Sequence, residues 1–260
     1  FAHGFVIYLC LLLGLIIYDF KNWSAWQKYF SLIVFAASFV SFFLSMTRGV
    51  WVGFFVAAFG VLLVLRPKIS LLSLFFASFI FIANFDRLPD SIRSRFTNGI
   101  RDVVGKSERK IIWQANWTIF KTSPLIGVGY GQNTKMLPDI YKQMRLEEGV
   151  LVSHAHNQYL HLASGTGVLG LICYMWIWCF FYFWLWKLWK LRGKREGLSS
   201  WDQGVVAGLF MAQLTFMIGS LTEANFEHSK VRFIVMLLWA YIVYLGNKYN
   251  LNKYYLTKVK

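Results

Sequence analysis

Acidic residues are scarce in this chain: 12 Asp and Glu stand against 27 Lys and Arg in 260 residues, a formal net charge of +15. Charged residues of all kinds make up only 15%, while hydrophobic ones make up 57%. A soluble domain carries about a quarter charged residues, so this composition excludes an ordinary water-soluble globule and points to a membrane protein. The mean hydropathy of +0.48 agrees. Nucleic-acid binding, the usual alternative for so basic a chain, needs a continuous basic stripe. Here the basic residues are scattered between apolar runs, which fits the cytoplasmic flanks of membrane spans and contact with lipid phosphates.

Cysteine is sparse as well. Cys10, Cys173 and Cys179 all lie inside apolar runs, with neither a disulfide framework nor zinc-ligand spacing. The opening "FAHGFVIYLC" has no basic leader region and does not read as a signal peptide. The expectation is a single transmembrane domain over 1–260 that forms the C-terminal part of a longer protein. Ionisable residues are almost absent from the middle of the apolar runs, where proton-coupled transporters and voltage sensors place them. That absence disfavours a transporter.

What is abundant is apolar sequence in lengths near the ~20 residues that cross a bilayer. Seven runs, near 1–18, 29–46, 50–65, 70–84, 161–186, 204–222 and 231–246, predict an all-α, polytopic helical bundle. Lys21 and Lys28, Arg66 and Lys68, the basic group from Lys187 to Arg195, and the lysine-rich tail fall in alternate connections. Placing these on the cytoplasmic side puts Arg48, the long loop 85–157 and the turn 223–230 together on the opposite, outer side.

That outer side carries the chemistry. In the loop, "SERKIIWQANWTIFKTSP" predicts a helix with Ser107 as N-cap, ending before Pro124. Trp113, Trp117 and Phe120 share one of its faces, as in a helix lying along a membrane interface. Arg109 lies in its first turn, where the helix dipole disfavours a cation and favours a bound anion. Gly127, Gly129 and Gly131 in "PLIGVGYGQ" allow an irregular backbone, and a second short helix is predicted from Pro138 to Glu148, stopping at Gly149. In "SMTRGVW", Thr47 can cap the inbound helix and Arg48 can fork onto phosphate oxygens, although interfacial arginines also snorkel to head groups.

Three histidines fall within eight positions of "SHAHNQYLHL". His154 and His156 share a face only if the chain is extended there. A metal site of these two with Glu147 or Glu148, a hydrogen-bonded interfacial imidazole, and a general base for a hydroxyl all fit the spacing.

These residues resemble a known family. His156 and Asn157, a nine-residue gap, then Gly167-x-x-Gly170 is similar to the His–Asn/Ser/Gln, nine-residue, Gly-x-x-Gly pattern of the bacterial O-antigen ligases. "SERKIIW" before "SPLIGVGYG", and "TRGVW" at a span end, resemble two further motifs of that superfamily, in the same order, over roughly residues 35–185. The resemblance implies an inner-membrane, multi-pass glycosyltransferase with its active site on the periplasmic face. Its donor would be a glycan on undecaprenyl pyrophosphate and its acceptor lipid A–core, with membrane lipids around it, no nucleic acid and no cofactor. It implies metal-independent, inverting transfer in which His156 is the general base and Arg48 and Arg109 bind the pyrophosphate. Asn157, His154, Arg95 and Gly129 are the expected substrate-binding residues. O-antigen polymerases and protein O-oligosaccharyltransferases use the same donor, and the motifs leave that choice open.

Overall fold

The computed structural model describes residues 2–45, 47–87, 90, 93, 108–144, 154–193 and 197–251. Among them there are helices and no strands. The α-helices are α1 (Ala2–Asp19), α2 (Ala25–Leu44), α3 (Arg48–Leu65), α4 (Pro67–Ala83), α5 (Glu108–Thr122), α6 (Gln132–Gln143), α7 (Gln158–Trp189), α8 (Ser200–Gly219) and α9 (Ser229–Lys248). A helix thus occupies each of the seven apolar runs. Five of them, α1, α2, α3, α7 and α9, are long and apolar enough to cross a membrane. The 17-residue α4 and the less apolar α8 are not among those five.

Helix α8 is nevertheless the centre of the bundle, packed chiefly against α1 and α3. Small residues make that possible. Gly204 and Gly208 of α8 lie directly on the backbone of α1 at Leu11 and Gly14, and Gly53 of α3 lies on the Thr215 carbonyl. This is the close crossing that small-xxx-small spacing permits when lipid offers no hydrophobic drive between helices. Around it, Trp178 and Phe216 stack at 5.2 Å within a continuous apolar core.

Both ends of the bundle are tied by polar contacts. At one end Asp19 accepts hydrogen bonds from Asn22, Trp23 and Ser200. There too Arg192 donates to Tyr18 at 3.1 Å, and Lys248 pairs with Asp202 at 2.6 Å. At the other, the Gln158 amide donates to the Ser220 carbonyl at 2.8 Å, and Gly49 at the start of α3 abuts the Thr222 side chain. The second end therefore gathers the starts of α3 and α7 around the turn after α8.

Helices α5 and α6 form a small second core of Ile112, Ala115, Ile119, Leu137, Ile140 and Tyr141, and α5 lies against α7. Trp113 and Trp117 face outward from it, half exposed. Helix α6 departs from expectation. It begins at Gln132, directly after Gly131 at φ 74°, and Pro138 sits inside it instead of opening it. Burial of Leu137, Ile140 and Tyr141 against α5 carries the helix past the lost proline hydrogen bond. The predicted end near Glu148 and Gly149 lies outside the described residues. Thr47 occupies the N-cap position of α3, but its hydroxyl donates to the Ser45 carbonyl and caps nothing.

The long helix α7 is broken at Gly167, with φ 68° and ψ −173°. The backbone groups released there pair with the loop after α5. Val168 and Leu169 donate to the Pro124 and Leu125 carbonyls at 2.9 and 3.2 Å, and Gly129 donates to the Gly165 carbonyl at 2.8 Å. Gly127 and Gly167 both have positive φ, and each faces backbone of the other segment where a Cβ would collide. We therefore expect Gly127→Ala and Gly167→Ala each to lower stability by roughly 1–3 kcal/mol or more, through strain plus collision. Gly60→Ala, in a helix with open space around it, is expected to be neutral or to gain up to ~1 kcal/mol. Thermal unfolding in detergent, followed by tryptophan fluorescence, checks both.

Candidate functional site

The site lies at the end where α3 and α7 begin. Asn157 is the N-cap of α7: its Oδ1 accepts from the Leu160 amide at 3.0 Å, while its Nδ2 donates to the Leu221 carbonyl at 3.2 Å. That pair of bonds fixes the residues just before α7 beside the turn 220–224. There His156 adopts φ 44°, a left-handed conformation that non-glycine residues seldom take. Such strain concentrates at functional sites. The turn brings the His154 and His156 rings together, with centroids 4.3 Å apart and planes tilted by 41°, and Ala155, between them in sequence, is fully buried.

Glu223 joins the separate pieces. His156 Nδ1 lies 3.0 Å from its Oε2, and the Arg109 guanidinium lies 3.7 Å from its Oε1. One carboxylate thus holds an imidazole from the start of α7 and a guanidinium from the first turn of α5. Facing a carboxylate, Nδ1 must carry the proton and donate it, which leaves Nε2 as the basic nitrogen. Arg48, the first residue of α3, is exposed at this same end, next to Gly49 and its contact with Thr222.

A second carboxylate organises the flank. Glu227 accepts from the Tyr130 hydroxyl at 3.0 Å and lies 3.7 Å from Nε2 of the buried His161. Arg232 donates to the Tyr130 oxygen at 3.3 Å. Desolvation, followed by the charge of Glu227, raises the Tyr130 hydroxyl above its ordinary value. Behind it a buried polar chain runs from Asn116 through Ser164 to Asn133 and His161, tying α5, α6 and α7 together.

Of the residues expected from sequence, His154, His156, Asn157 and Arg109 meet around Glu223 and the turn that carries it, and Arg48 stands at the same end. Gly129, exposed at φ 109°, is a joint in the loop bonded to α7. Arg95, Glu147 and Glu148 lie outside the described residues. The carboxylate found beside the two histidines is instead Glu223, and together these three offer ligand atoms within 4.8 Å of one another, a set able to hold a metal ion. The sequence places Glu223 and Glu227 only within the outer turn 223–230. Nothing local distinguishes them, because their side-chain partners lie 66 or more residues away; their only signal was being acidic in a chain with few acids.

Residues 32–175 match the family described as O-antigen ligase. No curated protein matches the chain.

Burial, then the neighbouring His156, hold the His154 imidazole below its ordinary value against the opposing pull of Glu223. The unfolded chain therefore takes up a proton that the folded site refuses. The stability this contributes is complete above the ordinary imidazole value and is lost as pH falls through the depressed one. In NMR titration of ring-labelled histidine, we expect the His154 midpoint below 6.5; a midpoint above it would contradict the burial argument.

Proposed function

The chain belongs to the O-antigen ligase family, and on that premise we propose that it transfers a polysaccharide from undecaprenyl pyrophosphate to a hydroxyl of lipid A–core. Membership implies glycosyltransferase-like chemistry, and the five long apolar helices make the chain a multi-pass membrane protein. The finer reading places it in the inner membrane with the Arg48 end toward the periplasm, where a lipid-tethered donor presents its diphosphate at the bilayer surface.

The observation that carries this reading is the sharing of Glu223 by His156 and Arg109. With Nδ1–H held by the carboxylate, His156 Nε2 takes the proton of the acceptor hydroxyl as its oxygen bonds to the anomeric carbon. The bond from that carbon to the pyrophosphate oxygen breaks, with inversion, and the electron pair leaves on the diphosphate. Glu223 offsets the charge of the imidazolium that forms. Arg109 and Arg48 face the negative charge that grows on the leaving group, and preorganised cations in that role are worth several kcal/mol. Asn157 holds the turn and keeps a second amide proton for a sugar hydroxyl. No metal is required for this sequence of events.

His156→Ala is expected to reduce transfer by about 10²–10⁴-fold, and Glu223→Gln by about 1–3 kcal/mol in transition-state stabilisation. Lipopolysaccharide from a ligase-null strain expressing each variant provides the readout, with membrane levels of the protein compared in parallel. Normal laddering with His156→Ala would refute the assignment of the base. In the deletion strain, single-repeat caps on the core would make the enzyme a polymerase. Intact lipopolysaccharide with an unmodified glycoprotein would make it a protein O-oligosaccharyltransferase.

A further inference from the structure

We propose that His154, His156 and Glu223 bind one divalent transition-metal cation of the zinc type, and that the bound cation inhibits glycan transfer by occupying the His156 imidazole. The binding stands on the geometry alone; the inhibition rests on His156 being the base.

The three side chains come from two segments, and their ligand atoms already lie within 4.8 Å of one another. Zinc–nitrogen and zinc–oxygen bonds of about 2.0–2.2 Å in a tetrahedron set neighbouring ligand atoms about 3.3–3.5 Å apart. His156 Nδ1 and Glu223 Oε2 are at 3.0 Å, so a cation enters with small side-chain adjustments as the Nδ1 proton shifts to Nε2, which leaves the ring no basic nitrogen for the acceptor hydroxyl. The bite of the two histidines is preset by the φ 44° turn at His156 and by the burial of the intervening residue Ala155. The side chains of His156 and Glu223 are 25% and 27% exposed, so a cation can arrive from solution.

The ligand set also selects the metal. Two imidazoles and one carboxylate suit zinc and its neighbours, whereas calcium and magnesium favour all-oxygen shells. Three protein ligands leave a fourth position for water. A purely structural imidazole would have each ring nitrogen hydrogen-bonded or wet, but His154 Nδ1 is shut from solvent and has no hydrogen-bond partner among the described residues. The opposing feature is Arg109, 3.7 Å from Glu223 Oε1. It sits on the other oxygen of the carboxylate, leaving Oε2 to the histidine side while weakening the attraction for a cation. Binding is therefore expected to be reversible and weaker than that of a permanent structural zinc.

The test uses the full chain in detergent, stripped with EDTA and titrated with Zn²⁺ against a chromophoric chelator. One equivalent should bind, and His154→Ala and Glu223→Gln should each weaken binding by about tenfold or more. No saturable binding, or a smaller effect of either variant, would overturn the proposal. Thermal unfolding reports whether each variant folds. If one does not, Co²⁺ added to the unaltered protein decides: intense visible bands of a four- or five-coordinate ion support the site, and the weak bands of an octahedral aquo ion reject it. Transfer is assayed separately. It should proceed in EDTA, stop with Zn²⁺ and return on chelation. Continued transfer by Zn²⁺-loaded protein would refute the inhibition, and absence of transfer in EDTA would instead sink the ligase reading while leaving the cation site in place.

Discussion

Backbone hydrogen bonds between the break in α7 and the loop after α5 are the constraint on which the site depends. A helix interrupted among apolar neighbours exposes amides and carbonyls that cannot be left unpaired, because each costs several kcal/mol where water is absent. The Pro124–Gly129 segment supplies the missing partners. It can do so only because glycines stand on both sides of the seam, at 127 and 167. The bonds fix α5 against the first turns of α7. Since Arg109 opens α5 and His156 precedes α7, the same seam determines how far the guanidinium stands from the imidazole. Two glycine motifs and two chemical residues are thus one device.

Glu223 completes that device from a third segment. Between two cationic or potentially cationic groups, a single carboxylate is stabilised by both and orients both, and at the edge of a low-dielectric bundle such interactions outweigh their values in water. The arrangement has the logic of a base held in one tautomer by an acid behind it. It also leaves Arg109 attached to a partner that an incoming anion can replace.

Around this site the bundle divides its labour by exposure. Helix α8 carries the small and polar residues, Gly204, Gly208, Thr215 and Gln213 among them, because α1 and α3 cover it. The helices outside it carry large exposed apolar side chains, such as Phe30, Ile33, Phe75 and Phe79, which a lipid environment tolerates. Hydropathy therefore scores the most central helix below its covers. The polar ties at the two ends then keep the bundle in register.

The sequence by itself determined the helical class, the seven apolar helices, the helix with Arg109 in its first turn, and the gathering of unusual polar residues toward one end. These follow from local signals: composition, runs long enough to span a bilayer, charge alternation and short motifs with fixed spacing. His156, Arg48 and Arg109 stood out by that route. Only the tertiary structure decided that Glu223 is the residue His156 and Arg109 gather around, that Asn157 ties the start of α7 to the turn after α8, that Pro138 lies within α6 and that α7 is broken at Gly167. Each of these depends on a partner far away in the chain. A carboxylate on a solvated turn and one clamped between an imidazole and a guanidinium have the same neighbours in sequence, and only packing brings the partners that distinguish them within a few ångströms.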